Sequence, residues 1–151
     1  MRRAQTAPSW YVRTYPVLVF QQEGRARTWV GKSGRPFLRE PGSVILYPAS
    51  APRRSEITSD AIQYLAAAMS FEAYGGVNLL SFFQAPLLLP EPTAGICRET
   101  LTRLFEMKAG RGQEIAAELE TRELCLRLLR AILACSEPLV DLTAHSAVSV
   151  N

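Results

Sequence analysis

Residues 39–57 read REPGSVILYPASAPRRSEI. The Pro41-Gly42 pair marks a turn, the apolar run Val44-Ile45-Leu46-Tyr47 follows it, and Pro48 closes the run. A short apolar run bounded by turn residues on both sides predicts a strand entering a small β-barrel. Beyond Pro48 the chain turns polar, which brings Arg53 and Ser55 to the barrel mouth as groups able to hold a small molecule.

The same texture extends in both directions. Upstream, WYVRTYPVLVFQQEG ends at a glycine turn, RARTWVG follows, and KSG turns into RPFLRE. Downstream, AIQYLAAAMSFEA (61–73) is expected to form another strand, although its three alanines would equally suit a helix. Tyr64, Ala66 and Ala68 would share one face of that strand, and Ala67, Met69 and Phe71 the other. Small side chains beside aromatic ones leave room for a ligand, so Arg53, Ser55, Tyr64, Ala66 and Ala68 form the expected binding set. The plainer alternative stays open: the alanines let a second layer pack closely, and Arg53 points to water.

After Pro90 and Pro92 the texture becomes helical. Ile96, Cys97, Leu101, Leu104 and Phe105 fall at helical spacing, GRG (110–112) stops that helix, and QEIAAELETRELCLRLLRAILACSE gives a second, longer one. The resulting expectation is an α+β fold, with a barrel over about 10–90 and two C-terminal α-helices over about 93–136. Residues 1–9 read as an N-terminal arm and 138–151 as a linker or tail. At about 100° per residue the apolar positions of the second helix cover roughly 220°, about twice what one core contact needs. A homodimer seam through Leu119, Leu126, Leu129, Ile132 and Leu133 is preferred to a helix sunk in its own domain. The spacing of seven between residues 119, 126 and 133 suits such a seam.

Composition narrows the classes. The chain has 151 residues, 48% hydrophobic and 21% charged, so one folded domain with a real core is expected. Net charge is +3, and no basic run is long enough for a nucleic-acid arm. The odd cysteines Cys97, Cys125 and Cys135, with no apolar signal segment after Arg2-Arg3, suggest free thiols in a reducing cytoplasm. No apolar stretch reaches the ~18 residues of a membrane span.

Catalytic motifs are scarce. His145 is the single histidine, it lies in the tail, and no G-x-S-x-G or phosphate-binding glycine loop occurs. The stretch from Gly42 resembles the second motif of the cupin superfamily, with Pro48 in place, Ser50 where a glycine would stand, and Arg53 replacing the histidine ligand. Counting the first motif from Gly24 puts Val30 and Lys32 at the paired-histidine places and Arg35 at the carboxylate place. Arginine and lysine offer no lone pair, so no metal, no cofactor and no catalytic residue is expected.

FLREPGSVILYPASAPRRSE, YLAAAMSFEA, SFFQAPLLLP, LTRLFEMKAG and LCLRLLRAILA together resemble the effector-binding domain of AraC-type transcriptional regulators, over roughly residues 10–137. The resemblance implies a cupin-like β-barrel (a double-stranded β-helix or jelly roll) that binds a small-molecule effector, pairs subunits through its last helices, and is not an enzyme. It implies contact with DNA only through a further domain with helix-turn-helix units. Residues 138–151 are not expected to supply one, so the chain would either stop at the linker of a longer protein or come from a truncated regulator. The rival from another class is a metal-free cupin enzyme such as a sugar isomerase or epimerase. With no histidine before residue 145, it would have to use tyrosines.

Overall fold

The computed structural model describes residues 10–31, 34–73, 75–109 and 114–139. The expected arm over 1–9, Lys32, and the tail with His145 lie outside them. The chain is α+β, mostly antiparallel sheets followed by two helices. Six strands come first: β1 (Val17–Glu23), β2 (Ala26–Val30), β3 (Phe37–Arg39), β4 (Val44–Tyr47), β5 (Arg53–Ile57) and β6 (Gln63–Ala68). They form two three-stranded sheets, ordered β4-β1-β6 and β3-β2-β5. The short strands β7 (Glu72–Ala73) and β8 (Val77–Asn78) pair with each other, and β9 (Phe83–Gln84) follows. Helices α1 (Thr93–Ala109) and α2 (Ile115–Ala134) come next, and β10 (Glu137–Pro138) returns to pair with β9.

Alternation along β1 builds the layers, because successive side chains on a strand point to opposite faces. Leu18 joins Val44, Leu46 and Met69 against Cys97 and Leu101 of α1 and Leu128 and Ile132 of α2. Val17 and Val19 point the other way, with Ile45 and Tyr47, and meet Val30 of β2 and Phe37 of β3. The order is therefore helices, first sheet, second sheet. The outer edge of β4 is covered by residues 87–89, where the Leu46 amide donates to the Leu87 carbonyl at 3.0 Å and the Leu89 amide to that of Val44 at 2.9 Å. The expected antiparallel sheets with two C-terminal helices are present, and no closed barrel is shown among the described residues.

One residue of the expected dimer seam, Ile132, is placed elsewhere by the fold. Ile132 is fully buried in this chain's own core beside Leu128, and Leu129 and Leu133 are partly buried against the same cluster. Only Leu119 and Leu126 of that set stand exposed, at 58% and 61%, with Ile115 at 79%. The cause is helical geometry: residues 126 and 132 sit about 120° apart around the axis, so they point in different directions. Much of the broad apolar arc is used within the chain, against the first sheet and α1. Thr93 at the start of α1 adds a hydrogen bond to the Ala131 carbonyl at 3.0 Å.

Two truncations separate these faces. Ile132→Ala should destabilise the protein by about 2–5 kcal/mol in urea unfolding, whereas Leu126→Ala should stay within about 0.5 kcal/mol. Equal losses would show that the outer face is packed as well.

Candidate functional site

The polar stretch RRSEI is strand β5, which a hydropathy pattern would leave as loop. It pairs with β2 in the register Val30↔Arg53, Trp29↔Arg54, Thr28↔Ser55. On its other edge Tyr11 forms a bridge: its amide donates to the Arg53 carbonyl at 3.0 Å, and the Arg53 amide donates back at 2.9 Å. Aromatic rings hold both arginines. The Arg53 guanidinium carbon lies 4.1 Å from the Tyr47 ring centroid and 4.9 Å from that of Tyr11. For Arg54 the distances are 4.2 Å to Trp29 and 5.3 Å to Trp10. Each cation–π contact contributes roughly 0.5–2 kcal/mol, which explains why so charged a segment forms a strand. Neighbouring strand residues face opposite ways, so Arg53 points between the sheets and Arg54 away from them.

Arg53 enters a pocket of about 270 Å³ between the two sheets. Val17 and Val19 form its floor, Tyr47 rises on one side of them, and Tyr64, Ala66 and Ala68 of β6 on the other. Arg39 lines it from β3, and Tyr11, Arg13 and Tyr15 sit at its mouth. Four of the five sequence-expected binding residues, Arg53, Tyr64, Ala66 and Ala68, thus meet on one wall system. Ser55 is not among the lining residues; its hydroxyl is 3.0 Å from that of Thr28.

Arg39 and Tyr47 escaped the sequence reading as site residues. Arg39 donates to the Gln21 Oε1 at 2.7 Å, and its guanidinium carbon lies 5.4 Å from the Tyr64 ring centroid. Gln21 is wholly buried, and its amide nitrogen donates to the carbonyls of Glu23 and Gly24 at 3.1 and 3.2 Å, which fixes its oxygen toward Arg39. The available signal was alternation in β3, where an arginine stands two residues after Phe37 and so on the same face. Arg39 and Arg53 are only 6% and 7% exposed. Among the described residues neither joins an ion pair, and Arg39 Nε, Arg53 Nε and the Tyr47 hydroxyl are buried without a hydrogen-bond partner.

These residues do not fit a metal. Of the places that the cupin resemblance would give to ligands, three carry Arg53, Val30 and Arg35, and the fourth, Lys32, lies outside the described residues. Among the described residues no three His, Cys, Asp or Glu side chains converge. A larger cavity of about 840 Å³ lies between Leu46, Leu80, Leu87 and Ile132, but its lining has no acid, base or thiol. Size and chemistry therefore point to different cavities, and the reactive groups are in the smaller one.

No family model and no curated protein matches this chain. Among solved structures it is similar to YcfD, a ribosomal oxygenase from Escherichia coli. The form in complex with cobalt and succinic acid is 19% identical with a TM-score of 0.36, over 82% of this chain and 35% of that one. The form with cobalt and 2-oxoglutarate is 18% identical with a TM-score of 0.35, over the same shares. The chain thus spans about a third of those proteins' length. These findings correct the expectation of a non-enzymatic sensing module from an AraC-type transcription regulator: the similar structures are oxygenases, and they bring no regulator with them. So loose a superposition carries no ligand or residue role across, and the chemistry has to be read from this chain's own side chains.

The thiols stay out of that chemistry. Burial pushes the Cys97 thiol up to about 12, with nearby Cys135 raising it further and Arg98 opposing. A thiol held protonated in the fold while its unfolded counterpart ionises near pH 9 costs stability as pH rises between those values. Urea midpoints should therefore hold below pH 9 and fall from there toward pH 12, with a shallower fall in Cys97→Ala. Parallel curves for the two proteins would count against a buried neutral thiol.

Proposed function

We propose that the chain is a cupin-like domain, its two sheets the halves of a double-stranded β-helix, and that it is an enzyme working without a metal. Its reaction is isomerisation or epimerisation of a sugar or related hydroxy-carbonyl compound. The observation that carries this reading is the Tyr47 hydroxyl, buried and unpartnered in a pocket that also holds two guanidinium groups. A phenol can both give and accept a proton. Tyr47, opposite Val17, and Tyr64, opposite Gln21, stand on the two strands that flank β1, and both line the pocket as groups able to remove and return a proton.

The chemistry follows from the groups present. One tyrosine, as phenolate, takes the proton from the carbon beside the substrate carbonyl, and the electron pair moves onto the carbonyl oxygen. Guanidinium N–H groups stabilise the resulting enediolate. Return of a proton to the opposite face of the same carbon gives the epimer; return to the neighbouring carbon, with the hydroxyl proton passing to the former carbonyl oxygen, gives the isomer. No oxidant, reductant or metal enters the balance.

The test is a panel of free and phosphorylated aldoses and ketoses incubated with the protein in D₂O and followed by proton NMR. The C–H beside the carbonyl should exchange for deuterium in at least one member, with a chelator making no difference. Tyr47→Phe should slow that exchange by roughly 10²–10⁴-fold. Exchange that stops on chelation, or that Tyr47→Phe leaves untouched, would overturn the proposal.

A further inference from the structure

We infer that the pocket between the sheets recognises its ligand through an oxyanion, a carboxylate or phosphate group, held between Arg39 and Arg53. This rests on the pocket being the ligand site, as proposed above, but not on the chemistry at Tyr47.

A guanidinium keeps its charge at any ordinary pH, and an unpaired one out of water is costly by several kcal/mol. Two of them, both more than nine-tenths buried, face one small cavity. The chain had the means to neutralise them and does not use it. The one hydrogen-bond partner of the Arg39 side chain among the described residues is the amide of Gln21, a neutral acceptor where a glutamate would have cancelled the charge. Glu56 of β5 comes three residues after Arg53 and so faces the opposite side. The Nε groups of both arginines remain without acceptors, as does that of Arg54 outside the pocket, and the Tyr47 hydroxyl in the pocket lining is likewise unpartnered. Donors and positive charge in a walled space, with no internal anion, are what a carboxylate or phosphate satisfies.

The site is also reachable. Tyr64, Ala66 and Ala68 are exposed along β6, and Arg13 stands exposed at the mouth, adding positive potential on the path in. Arg54 supplies the internal comparison: an equally stacked cation on the same strand, but absent from the pocket lining.

The test is calorimetric titration of the whole chain with inorganic phosphate and, separately, acetate, at constant ionic strength in chloride. At least one should bind with one-to-one stoichiometry, and the one that does tells a phosphate site from a carboxylate site. Arg39→Met and Arg53→Met should each weaken it about tenfold or more, while Arg54→Met leaves it unchanged. Neither anion binding, or equal weakening by Arg54→Met, overturns the inference. Anion binding without deuterium exchange supports this site and sinks the isomerase reading. Exchange on a neutral sugar with no anion binding does the reverse.

Discussion

Strand β1 has to serve two environments at once, and the rest of the molecule is arranged around that demand. Leu18 must leave water on the helix side, while Val17, Val19 and Gln21 face the second sheet. Neighbours on both edges repeat the division. Val44 and Leu46 follow Leu18, Ile45 and Tyr47 follow Val19, and on β6 Ala67 goes with the core while Ala66 goes with the pocket. A one-residue slip of register would turn every one of these side chains to the wrong face. The pocket is thus fixed by the same alternation that builds the core.

Within that frame, the second sheet is held by charge and aromatic faces more than by aliphatic burial. Strand β5 supplies no large apolar side chain except an exposed isoleucine, Ile57. It is kept in place by the ladder to β2, the bridge to Tyr11, and the stacking of Arg53 and Arg54 between tyrosines and tryptophans. The contacts that hold the strand also aim Arg53 into the pocket. Stability and recognition therefore share the same side chains here, and Tyr47 serves as stacking platform and pocket wall together.

What could be read from the sequence follows from which forces were local. Strand β4, the two helices and the division of faces in β6 were legible because periodicity and flanking prolines or glycines encode them directly. Strand β5 was not read as a strand, since RRSEI has no apolar alternation and depends on rings far away in sequence. Arg39 was missed for a related reason: its burial depends on Gln21, 18 residues away. Ile132 on α2 was illegible for the opposite reason. Apolar content around α2 was counted correctly, but the sequence could not say how much of it the sheet and α1 would take up, so Ile132 was assigned outward when it lies in the core.

The electrostatics of the pocket separate it from a metal centre sharply. A catalytic metal is bound by neutral imidazoles and anionic carboxylates, a set whose field draws a cation in. Here the corresponding region carries Arg53 and Arg39, and neither can offer a lone pair. A divalent ion about 5 Å from one guanidinium would be repelled by about 7 kcal/mol at an effective dielectric near 20. That is comparable to the whole free energy of a micromolar complex. Arg53 therefore does more than fail to offer a ligand. Its charge, with that of Arg39, sets the sign of the field, so the pocket repels a cation and is complementary to an anion.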